Sequence, residues 1–397
     1  MRKLSLLIGA ILLLTTVGIG AQTLTGVFCY VENDDTGASD ITNGGTRPAY
    51  LAGTTRDTRD CEYNPSSTEG FPTVLIVEDD NNDLFVCRAD NGSVVRTIAS
   101  AETGDGTVDP YGVAVSEDGV IFINGFARTV VYFADDSGTA TKTTLIAGAT
   151  VHGAAGNSRA IHATGSVVAG TCRLYWSAGN DIVVYDVGGT LPTSLTATLV
   201  ATYTPDDGGT AISDCPGIAG TVNTIHLTEN AGNIRDVMVV QDGGDTIIPS
   251  ADDTYVAGTQ AIADNQTGQI GVSTGISVID DPIVSLGGTT TLPGVYAIYE
   301  AGGAQDGVAI ASLGTDTVAG EAAPPPLAED QEPDGWWDGG ATRNINSANL
   351  DGGVSAGLLG ATDVVNIWFV SAGADGAFGR LNVPGAVPVE LSVFSTN

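Results

Sequence analysis

The feature that most constrains the fold is a succession of short apolar stretches separated by turn sequences. The clearest example spans residues 72–98, where the stretches 73–77, 84–87 and 94–98 alternate with an acidic turn and an Asp-Asn-Gly turn. Residues 110–146 repeat the arrangement with four stretches. Short apolar stretches bounded by Gly, Asn and Asp are typical of β-strands joined by tight turns. The pattern therefore predicts an all-β chain.

Weaker copies of this unit follow along the chain, in residues 160–200, 224–256, 276–310 and 354–383. Units of roughly 40 to 60 residues that each form an up-and-down sheet of four strands indicate a β-propeller. A single sheet leaves both of its faces exposed, whereas radial stacking of several sheets buries them. We therefore predict a propeller of six four-stranded blades over residues 72–385; a β-sandwich array and a β-solenoid are the alternatives.

One unit carries a family resemblance. It reads Pro110-Tyr111-Gly112-Val113-Ala114-Val115, then Glu117-Asp118-Gly119 and Ile121-Phe122-Ile123. This stretch resembles the repeat of NHL-type propellers and their six-bladed relatives, and residues 72–98 resemble it less closely. The resemblance implies the propeller fold and says little about activity, because propellers host many functions.

The start of the chain predicts export. An Arg-Lys pair precedes an apolar stretch, residues 4–14, and the small residues 18–21 provide a cleavage site before Gln22. This order is that of a secretory signal peptide, so residues 1–21 are expected to be removed. A membrane anchor is the alternative, but the apolar stretch is shorter than the roughly 20 residues of a spanning helix. We expect a secreted or cell-surface protein with no membrane span after cleavage.

Composition narrows the partners. The formal net charge is −33, from 47 acidic and 14 basic residues, and Lys142 is the only lysine beyond the signal peptide. Such a surface repels nucleic acid and anionic lipid, which excludes both as expected partners. A surface this negative can attract divalent cations, or it can simply keep the protein in solution. Charged residues make up only 15% of the chain and Gly contributes 54 residues, a balance that favours an extracellular all-β protein.

Segments at both ends lie outside the predicted blades. Residues 22–71 predict an irregular N-terminal segment that contains cysteines, and residues 386–397 predict a C-terminal strand and tail. Within this tail, Val387–Phe394 reads Val-Pro-Val-Glu-Leu-Ser-Val-Phe and alternates like one strand. It resembles a stretch found near the C-terminal segments of secreted bacterial proteins.

An aromatic pair follows a proline-rich stretch between the last two predicted units. Trp336 and Trp337 come after Pro324-Pro325-Pro326 and several acidic residues, which predicts an exposed loop. Exposed aromatic rings stack on sugars or on partner proteins, so the pair is a candidate ligand site. Packing of this loop against the propeller is the alternative.

Five cysteines belong to the chain after signal cleavage, and outside the cell cysteines tend to pair. Proximity in the sequence favours a disulfide between Cys29 and Cys61. A second disulfide would join Cys172 and Cys215, with Cys87 left over and buried. A zinc site is the alternative, but the chain has no CxxC motif.

An acidic turn is the first candidate metal site. Asp79, Asn81 and Asp83 have the alternating spacing of a calcium loop, and Asp90 stands at its twelfth position. Leu84 occupies the place where such loops need Gly, however, and the twelfth residue is Asp rather than Glu. A solvated hairpin turn is the alternative.

Two of the three histidines are the second candidate. His162 and His226 stand at the same place in successive predicted units, in Ala-Ile-His-Ala-Thr and Thr-Ile-His-Leu-Thr. On innermost strands, both imidazoles would face the central channel and, with one more ligand, could hold zinc. Some NHL-related lyases use a histidine set in this way. A histidine that is hydrogen-bonded between blades is the alternative.

The sequence contains no HExxH or phosphate-binding GK[ST] motif. We therefore expect a binding or structural propeller rather than an enzyme, with a protein or glycan partner at the cell surface. Terminal strands that add to a neighbour's sheet would allow self-assembly into an oligomer or a filament. The alternative function is a metal-dependent lyase or lactonase that uses His162 and His226. The candidate bound ions are calcium and zinc.

Overall fold

A computed structural model of the chain describes residues 22–23, 25–31, 58–79, 81–99, 110–125, 129–147, 160–178, 181–203, 217–220, 224–228, 237–241, 254–256, 272–279, 283–284, 291–292, 295–301, 307–312, 335–338, 352–359, 364–371 and 377–383. Within these ranges all regular structure is β. The predicted signal peptide, residues 1–21, and the predicted strand Val387–Phe394 lie outside the described residues.

The strands follow one another closely along the chain. In chain order they are β1 (Gln22–Thr23), β2 (Thr25–Val31), β3 (Thr58–Asn64), β4 (Thr73–Glu78), β5 (Asp83–Arg88), β6 (Val94–Ile98), β7 (Pro110–Val115), β8 (Ile121–Gly125), β9 (Val130–Phe133), β10 (Thr143–Ile146), β11 (Ile161–Thr164), β12 (Arg173–Ala178), β13 (Asp181–Thr190), β14 (Ser194–Tyr203), β15 (Gly217–Gly220), β16 (Thr224–Thr228), β17 (Val237–Gln241), β18 (Thr254–Val256), β19 (Val272–Ile279), β20 (Ile283–Val284), β21 (Thr291–Leu292), β22 (Val295–Ala301), β23 (Gly307–Ser312), β24 (Gly335–Asp338), β25 (Gly352–Leu359), β26 (Val364–Ser371) and β27 (Ala377–Asn382).

Six sheets of four or five strands are formed by these elements. Blade 1 is β3-β4-β5-β6, blade 2 is β7-β8-β9-β10, blade 3 is β11-β12-β13-β14 and blade 4 is β15-β16-β17-β18. Blade 5 is β19-β22-β23-β24-β1 and blade 6 is β25-β26-β27-β2. Strands β20 and β21 form a separate hairpin.

The first strand of each blade faces the centre of the molecule. These innermost strands contact one another in a closed cycle, in the order β3, β7, β11, β15, β19, β25 and back to β3. Buried hydrophobic clusters fill the contacts between blades 1 and 2, 2 and 3, 3 and 4, 5 and 6, and 6 and 1. This radial arrangement confirms the predicted all-β propeller fold.

Blade 6 is completed by the N-terminal strand β2, which pairs antiparallel with β27. Because side chains alternate along a strand, β2 supplies both faces of this blade. Phe28 and Tyr30 are buried against blade 1, whereas Cys29 is buried against blade 5. The predicted boundary at residue 72 therefore cuts through the propeller, since β2 and β3 both belong to blades.

Three glycines allow the innermost strands of blades 4, 5, 6 and 1 to approach closely. A Cβ atom on Gly217 would stand 3.0 Å from the backbone nitrogen of Ile276, and one on Gly275 would stand 3.0 Å from the Cα of Gly353. A Cβ atom on Gly353 would stand 2.6 Å from the Cα of Asp60 in blade 1. Real Cβ atoms do not come as close to backbone as the one at Gly353 would, so this position needs glycine. At Gly217 and Gly275 the neighbouring strand would have to shift by a few tenths of an ångström.

Carboxylates tie neighbouring blades together at the turns. The buried Asp136, in the β9–β10 turn of blade 2, accepts hydrogen bonds from the side chains of Asn64 and Thr73 and from the backbone and hydroxyl of Thr68, all in blade 1, at 2.7–3.2 Å. Asp118, in the β7–β8 turn, accepts backbone hydrogen bonds from residues 167 and 168 of blade 3. Carboxylates in the turns of blade 2 therefore also fix the orientation of this blade relative to its two neighbours.

We predict that Gly353→Ala lowers the free energy of unfolding by about 1–3 kcal/mol, the usual cost of overpacking. The added methyl group would press on the backbone of Asp60 and Cys61, where blade 6 meets blade 1. Urea denaturation measures the change. Gly188→Ala is the matched control, because a Cβ atom there meets nothing within 4 Å. Equal midpoints for the two variants would contradict the close-approach argument.

Candidate functional site

A cavity at the centre of the ring is the candidate site. All six innermost strands line it, through Asp60 and Glu62 of β3, Val113 of β7, His162 of β11, Ile218 of β15, Ser277 of β19 and Val354 of β25. The cavity volume is about 20 Å³, which is room for a group about the size of one or two water molecules. Convergent polar groups around such a space are a feature of sites that bind an ion or a small charged group.

Asp60 joins three blades at the wall of this cavity. Its Oδ2 accepts a hydrogen bond of 3.0 Å from the backbone nitrogen of Val113 in blade 2. Its Oδ1 accepts one of 2.8 Å from the backbone nitrogen of Cys61. The close approach of Gly353 in blade 6 confines the same side chain. The carboxyl group is therefore held in one orientation by the closure of the ring.

Glu62 lies two residues further along β3 and faces blade 6. Its Oε2 accepts a hydrogen bond of 3.1 Å from the hydroxyl group of Ser355. The Ser355 Oγ in turn accepts a hydrogen bond of 2.9 Å from the backbone nitrogen of Tyr63. This chain of contacts places Glu62 beside Asp60 on the same strand.

The two carboxyl groups hold their protons unusually tightly. Burial raises the pKa of Asp60 to about 7, although its hydrogen bonds with Val113 and Cys61 act in the opposite direction. Burial and the neighbouring charge of Asp60 raise the pKa of Glu62 to about 8. Near neutral pH the pair therefore exists mainly in partly protonated forms. Strongly perturbed carboxyl groups in a cavity are a mark of functional sites.

His162 contributes a neutral imidazole. Burial lowers the pKa of His162 to about 4, while its hydrogen bond with the carbonyl of Gly220 acts in the opposite direction. The Nε2 atom lies 3.3 Å from this carbonyl oxygen, so the proton of the neutral ring belongs on Nε2. The Nδ1 atom is then the acceptor. The ring also stacks on Tyr175, with 6.3 Å between the centroids.

The second predicted histidine does not share this position. His226 lies on β16, the second strand of blade 4, opposite Ala219 of the innermost strand β15. Its side chain is fully buried, and burial, followed by the charge of His162, lowers its pKa to about 4. The expectation that both histidines lie on innermost strands is therefore wrong for His226. Among the described residues, no group of three His, Cys, Asp or Glu side chains is arranged to hold a metal.

The acidic turn lies between the antiparallel strands β4 and β5. Asp79 pairs with Arg59 at 2.6 Å, so its charge is neutralised within blade 1. Asp83 stands opposite Glu78 in the β4–β5 ladder, and the Glu78 carboxylate accepts a hydrogen bond of 3.1 Å from the backbone nitrogen of Asn81. The calcium site in this turn therefore stays a prediction, although Asp79 already has a partner in Arg59.

The predicted aromatic loop is a strand of blade 5. Trp336 and Trp337 belong to β24, which pairs with β23. Trp337 is 1% exposed and packs on Phe369 of blade 6, with 5.0 Å between the ring centroids. The ligand role predicted for Trp337 is therefore wrong, since this indole fills the contact between two blades. The side chain of Trp336 lies outside the described residues.

The described cysteines are buried thiols. No disulfide joins Cys29, Cys61, Cys87 and Cys172. The predicted Cys29–Cys61 bond is not formed because the two side chains face different contacts, Cys29 toward blade 5 and Cys61 into the cluster between blades 6 and 1. Cys87 is buried, as expected, in the cluster that contains Cys61. Cys215, the predicted partner of Cys172, lies outside the described residues.

The sequence reasoning missed Asp60 and Glu62 altogether. Strand β3 reads Thr-Arg-Asp-Cys-Glu-Tyr-Asn, and its three charged residues hide it from a search for apolar stretches. One signal was present. Thr58, Asp60 and Glu62 occur at every second position, which is the spacing of side chains on one face of a strand. In addition, the sequence showed only three apolar stretches for blade 1 but four for blade 2.

Comparisons with known proteins bear on the fold alone. No family model matches the chain, and no curated protein matches it. Among solved structures, the RRP9 WD40 repeats are 11% identical, with 91% of this chain and 86% of that chain covered and a TM-score of 0.45. A DUF4623 family protein from Bacteroides eggerthii DSM 20697 is also 11% identical, with coverages of 91% and 77% and a TM-score of 0.47.

Myxococcus xanthus glutaminyl cyclase is 8% identical, with 83% of this chain and 92% of that chain covered and a TM-score of 0.38. None of these similarities carries an argument about activity. The cycle of sheets itself defines the class: the chain is a β-propeller with a polar central cavity. The described residues include no helix of the length and apolar character that a bilayer span requires.

We predict that stability falls as the pH rises from 6.5 to 8. Asp60 and Glu62 would lose their protons near pH 4 in the unfolded chain but near pH 7 and 8 in the folded one, so the folded chain binds more protons across this window. The depressed pKa values of His162 and His226 have the opposite effect, but chiefly between pH 4 and 6.5.

Urea denaturation across this window should show a loss of about 1–3 kcal/mol for the wild-type chain. The double variant Asp60→Asn and Glu62→Gln should show a much flatter profile. Asp90→Asn is the control, because this carboxyl group has a lowered pKa, caused first by its hydrogen bond with Arg88, and should leave the wild-type slope intact. A double variant as pH-dependent as the wild type would refute the assignment.

Proposed function

We propose that this chain is an exported binding protein that takes a small ligand at the central cavity of its propeller. The observation that carries the proposal is the convergence of Asp60, Glu62 and His162 in one space lined by all six innermost strands. Buried carboxyl groups with raised pKa values weaken a fold. Their presence here is best explained by a ligand that they recognise.

The chemistry of the lining indicates the class of ligand. Two carboxyl groups and the Nδ1 atom of His162 are acceptors when the carboxyl groups are ionised, and the surrounding protein bears a net charge of −33. A cationic group, such as a primary ammonium group, would displace the protons of Asp60 and Glu62 and pair with the charges that remain. Calcium is the second cation to test, given the carboxylates.

The protein is proposed to act outside the cell, as a secreted or cell-surface binding module. The signal-like residues 1–21 support export, and the acidic composition favours protein or glycan surroundings over nucleic acid. Self-assembly through terminal strands is proposed for the C-terminal segment only. The N-terminal strands β1 and β2 already pair within blades 5 and 6.

Expression of the full chain in a secreting host should yield a protein that begins at Gln22. The apolar stretch 4–14 ends too early to span a bilayer, so a signal peptidase should release the chain. Intact-mass spectrometry of the culture medium measures the start site. Retention of an uncleaved chain in the membrane fraction would contradict the export proposal and leave the cavity proposal standing.

Ligand binding is tested with ethylammonium and calcium chlorides as probes, against sodium chloride at equal ionic strength. Ethylammonium should raise the melting temperature of the wild-type chain more at pH 8 than at pH 6, because the cation competes with protons at Asp60 and Glu62. Glu62→Gln should abolish most of this shift. Asp90→Asn, an exposed carboxyl group outside the cavity, is the matched control and should retain it.

Isothermal titration at pH 8 gives the stoichiometry, which should be one cation per chain with release of protons to the buffer. If neither cation binds, or if Glu62→Gln binds as well as the wild type, the cavity proposal fails.

A further inference from the structure

The outer edge of blade 3 is the longest blade edge among the described strands. Its outermost strand, β14, is ten residues long and reads Ser-Leu-Thr-Ala-Thr-Leu-Val-Ala-Thr-Tyr, with no charged residue. By comparison, β6 has five residues and includes Arg96, β10 has four and β18 has three. The edge strand β2 of blade 6 has seven residues and is likewise uncharged. Proteins normally protect exposed edges with short strands, charges or prolines. β14 carries none of these protections, although its register shifts at Val200.

The exposed face of this strand is adapted to contact. Thr196, Thr198 and Thr202 are exposed, and Leu199 is 39% exposed, one of two large apolar side chains with such exposure among the described residues. Ala197 packs beside the cluster between blades 2 and 3. Among the strands that the structure describes, none pairs with the outer edge of β14.

The backbone shows which groups this edge offers. The Leu195 N–H donates to the hydroxyl group of Tyr132 in blade 2, at 3.2 Å, and so points away from β13. Because backbone direction alternates along a strand, the N–H of Ala197 also points away from β13 and toward the open edge. The edge therefore offers main-chain donors beyond Leu195.

We propose that the outer edge of β14 accepts the segment Val387–Phe394 of a second copy of this chain as an added strand. The segment alternates Val387, Val389, Leu391 and Val393 on one face, and Glu390 is its only charged residue. Pro388 lacks a backbone donor, which suits a strand that is itself at the edge of a sheet. Strand addition of this kind uses main-chain hydrogen bonds for affinity and alternate side chains for specificity.

The donor segment comes from another copy because of its tether. It follows β27, the third strand of blade 6, and only residues 384–386 separate it from Val383. Three residues span at most about 11 Å. In the cycle of innermost strands, blade 6 lies opposite blade 3. Neighbouring strands are roughly 4.8 Å apart, so β14 lies about 14 Å outside β11 and β27 lies about 10 Å outside β25. A path from Val383 across the ring to β14 of the same chain is therefore longer than residues 384–386 can span.

The same geometry specifies the form of the assembly. Donor and acceptor are different surfaces on opposite sides of each molecule, so the contact is head-to-tail. The assembly then has a free β14 edge at one end and a free donor segment at the other. Each added copy presents another β14 edge. The expected product is an open linear chain of propellers rather than a closed dimer. This inference does not depend on the cavity, so either proposal can fail without the other.

Two full-length variants separate the donor from the acceptor. Ala197→Pro removes one outward N–H from the acceptor edge while the β13–β14 ladder remains, and Ala197→Ser is its matched control because serine keeps that N–H. Val389→Asp with Leu391→Asp disrupts the apolar face of the donor, and Ser392→Asp, on the other face, is its control. Melting temperatures check that all variants fold.

Light scattering and negative-stain microscopy should show linear oligomers for the wild type and for both controls. Ala197→Pro and the double aspartate variant should each be monomeric, with association at least tenfold weaker. A mixture of these two variants should form 1:1 dimers and nothing larger, since one retains the donor and the other the acceptor. A monomeric wild type overturns the proposal; this result is expected if the segment pairs with β2 of its own chain. Assembly of Ala197→Pro to the same extent as the wild type also overturns it.

Discussion

The closure of blade 6 by β2 is the contact on which the rest of the structure depends. This strand pairs with β27 across more than three hundred residues of sequence and thereby covers the last open sheet. Its alternating side chains seal two blade contacts at once. Phe28 packs edge-on against Phe378, with 5.3 Å between the ring centroids, while Cys29 enters the cluster of Trp337 and Phe369. Without β2, both contacts would lose buried apolar groups, and the edge of β27 would be open.

Closure of the ring also creates the candidate site. Gly353 lets β25 approach β3, and Val113 reaches Asp60 from the opposite side. The carboxyl groups of Asp60 and Glu62 are thereby enclosed next to each other, a position that opposes their ionisation. The hydrogen bonds from Val113, Cys61 and Ser355 offset part of this cost. A place where the fold accepts such a cost is where function is to be sought.

Acidic residues serve opposite purposes at the centre and at the turns. Burial raises the pKa of Asp136, but hydrogen bonds from Ser67, Thr68 and Thr73 outweigh it, so its pKa lies below the ordinary value. This carboxylate stabilises the fold above the pKa of the unfolded chain, and that stability is lost as the pH falls. At the cavity, Asp60 and Glu62 destabilise the fold as the pH rises. One acidic composition therefore contains both structural anions and proton-holding groups.

Where turns and strands are defined locally, the sequence was a sufficient guide. Residues 110–146 contain four strands because each apolar stretch is bounded by its own turn residues, and β7 to β10 lie where they were expected. The site was less accessible. His162 was expected to face the channel and does line the cavity, but β3 carries charged residues and β15 is only four residues with glycine at both ends, so neither resembles a strand.

The missed strands explain the wrong assignments. Because β15 was not predicted, β16 was taken as the innermost strand of blade 4, and His226 was placed one strand too close to the channel. Trp337 was expected on a loop because proline-rich sequence precedes it, yet its pairing with Val308 makes it a buried strand residue. The sequence by itself determined the all-β class, the repeating unit and the acidic charge, because these follow from local composition and spacing. Only the tertiary structure decided which strand faces the centre and which carboxyl groups meet there, because hydrogen bonds between distant segments set both.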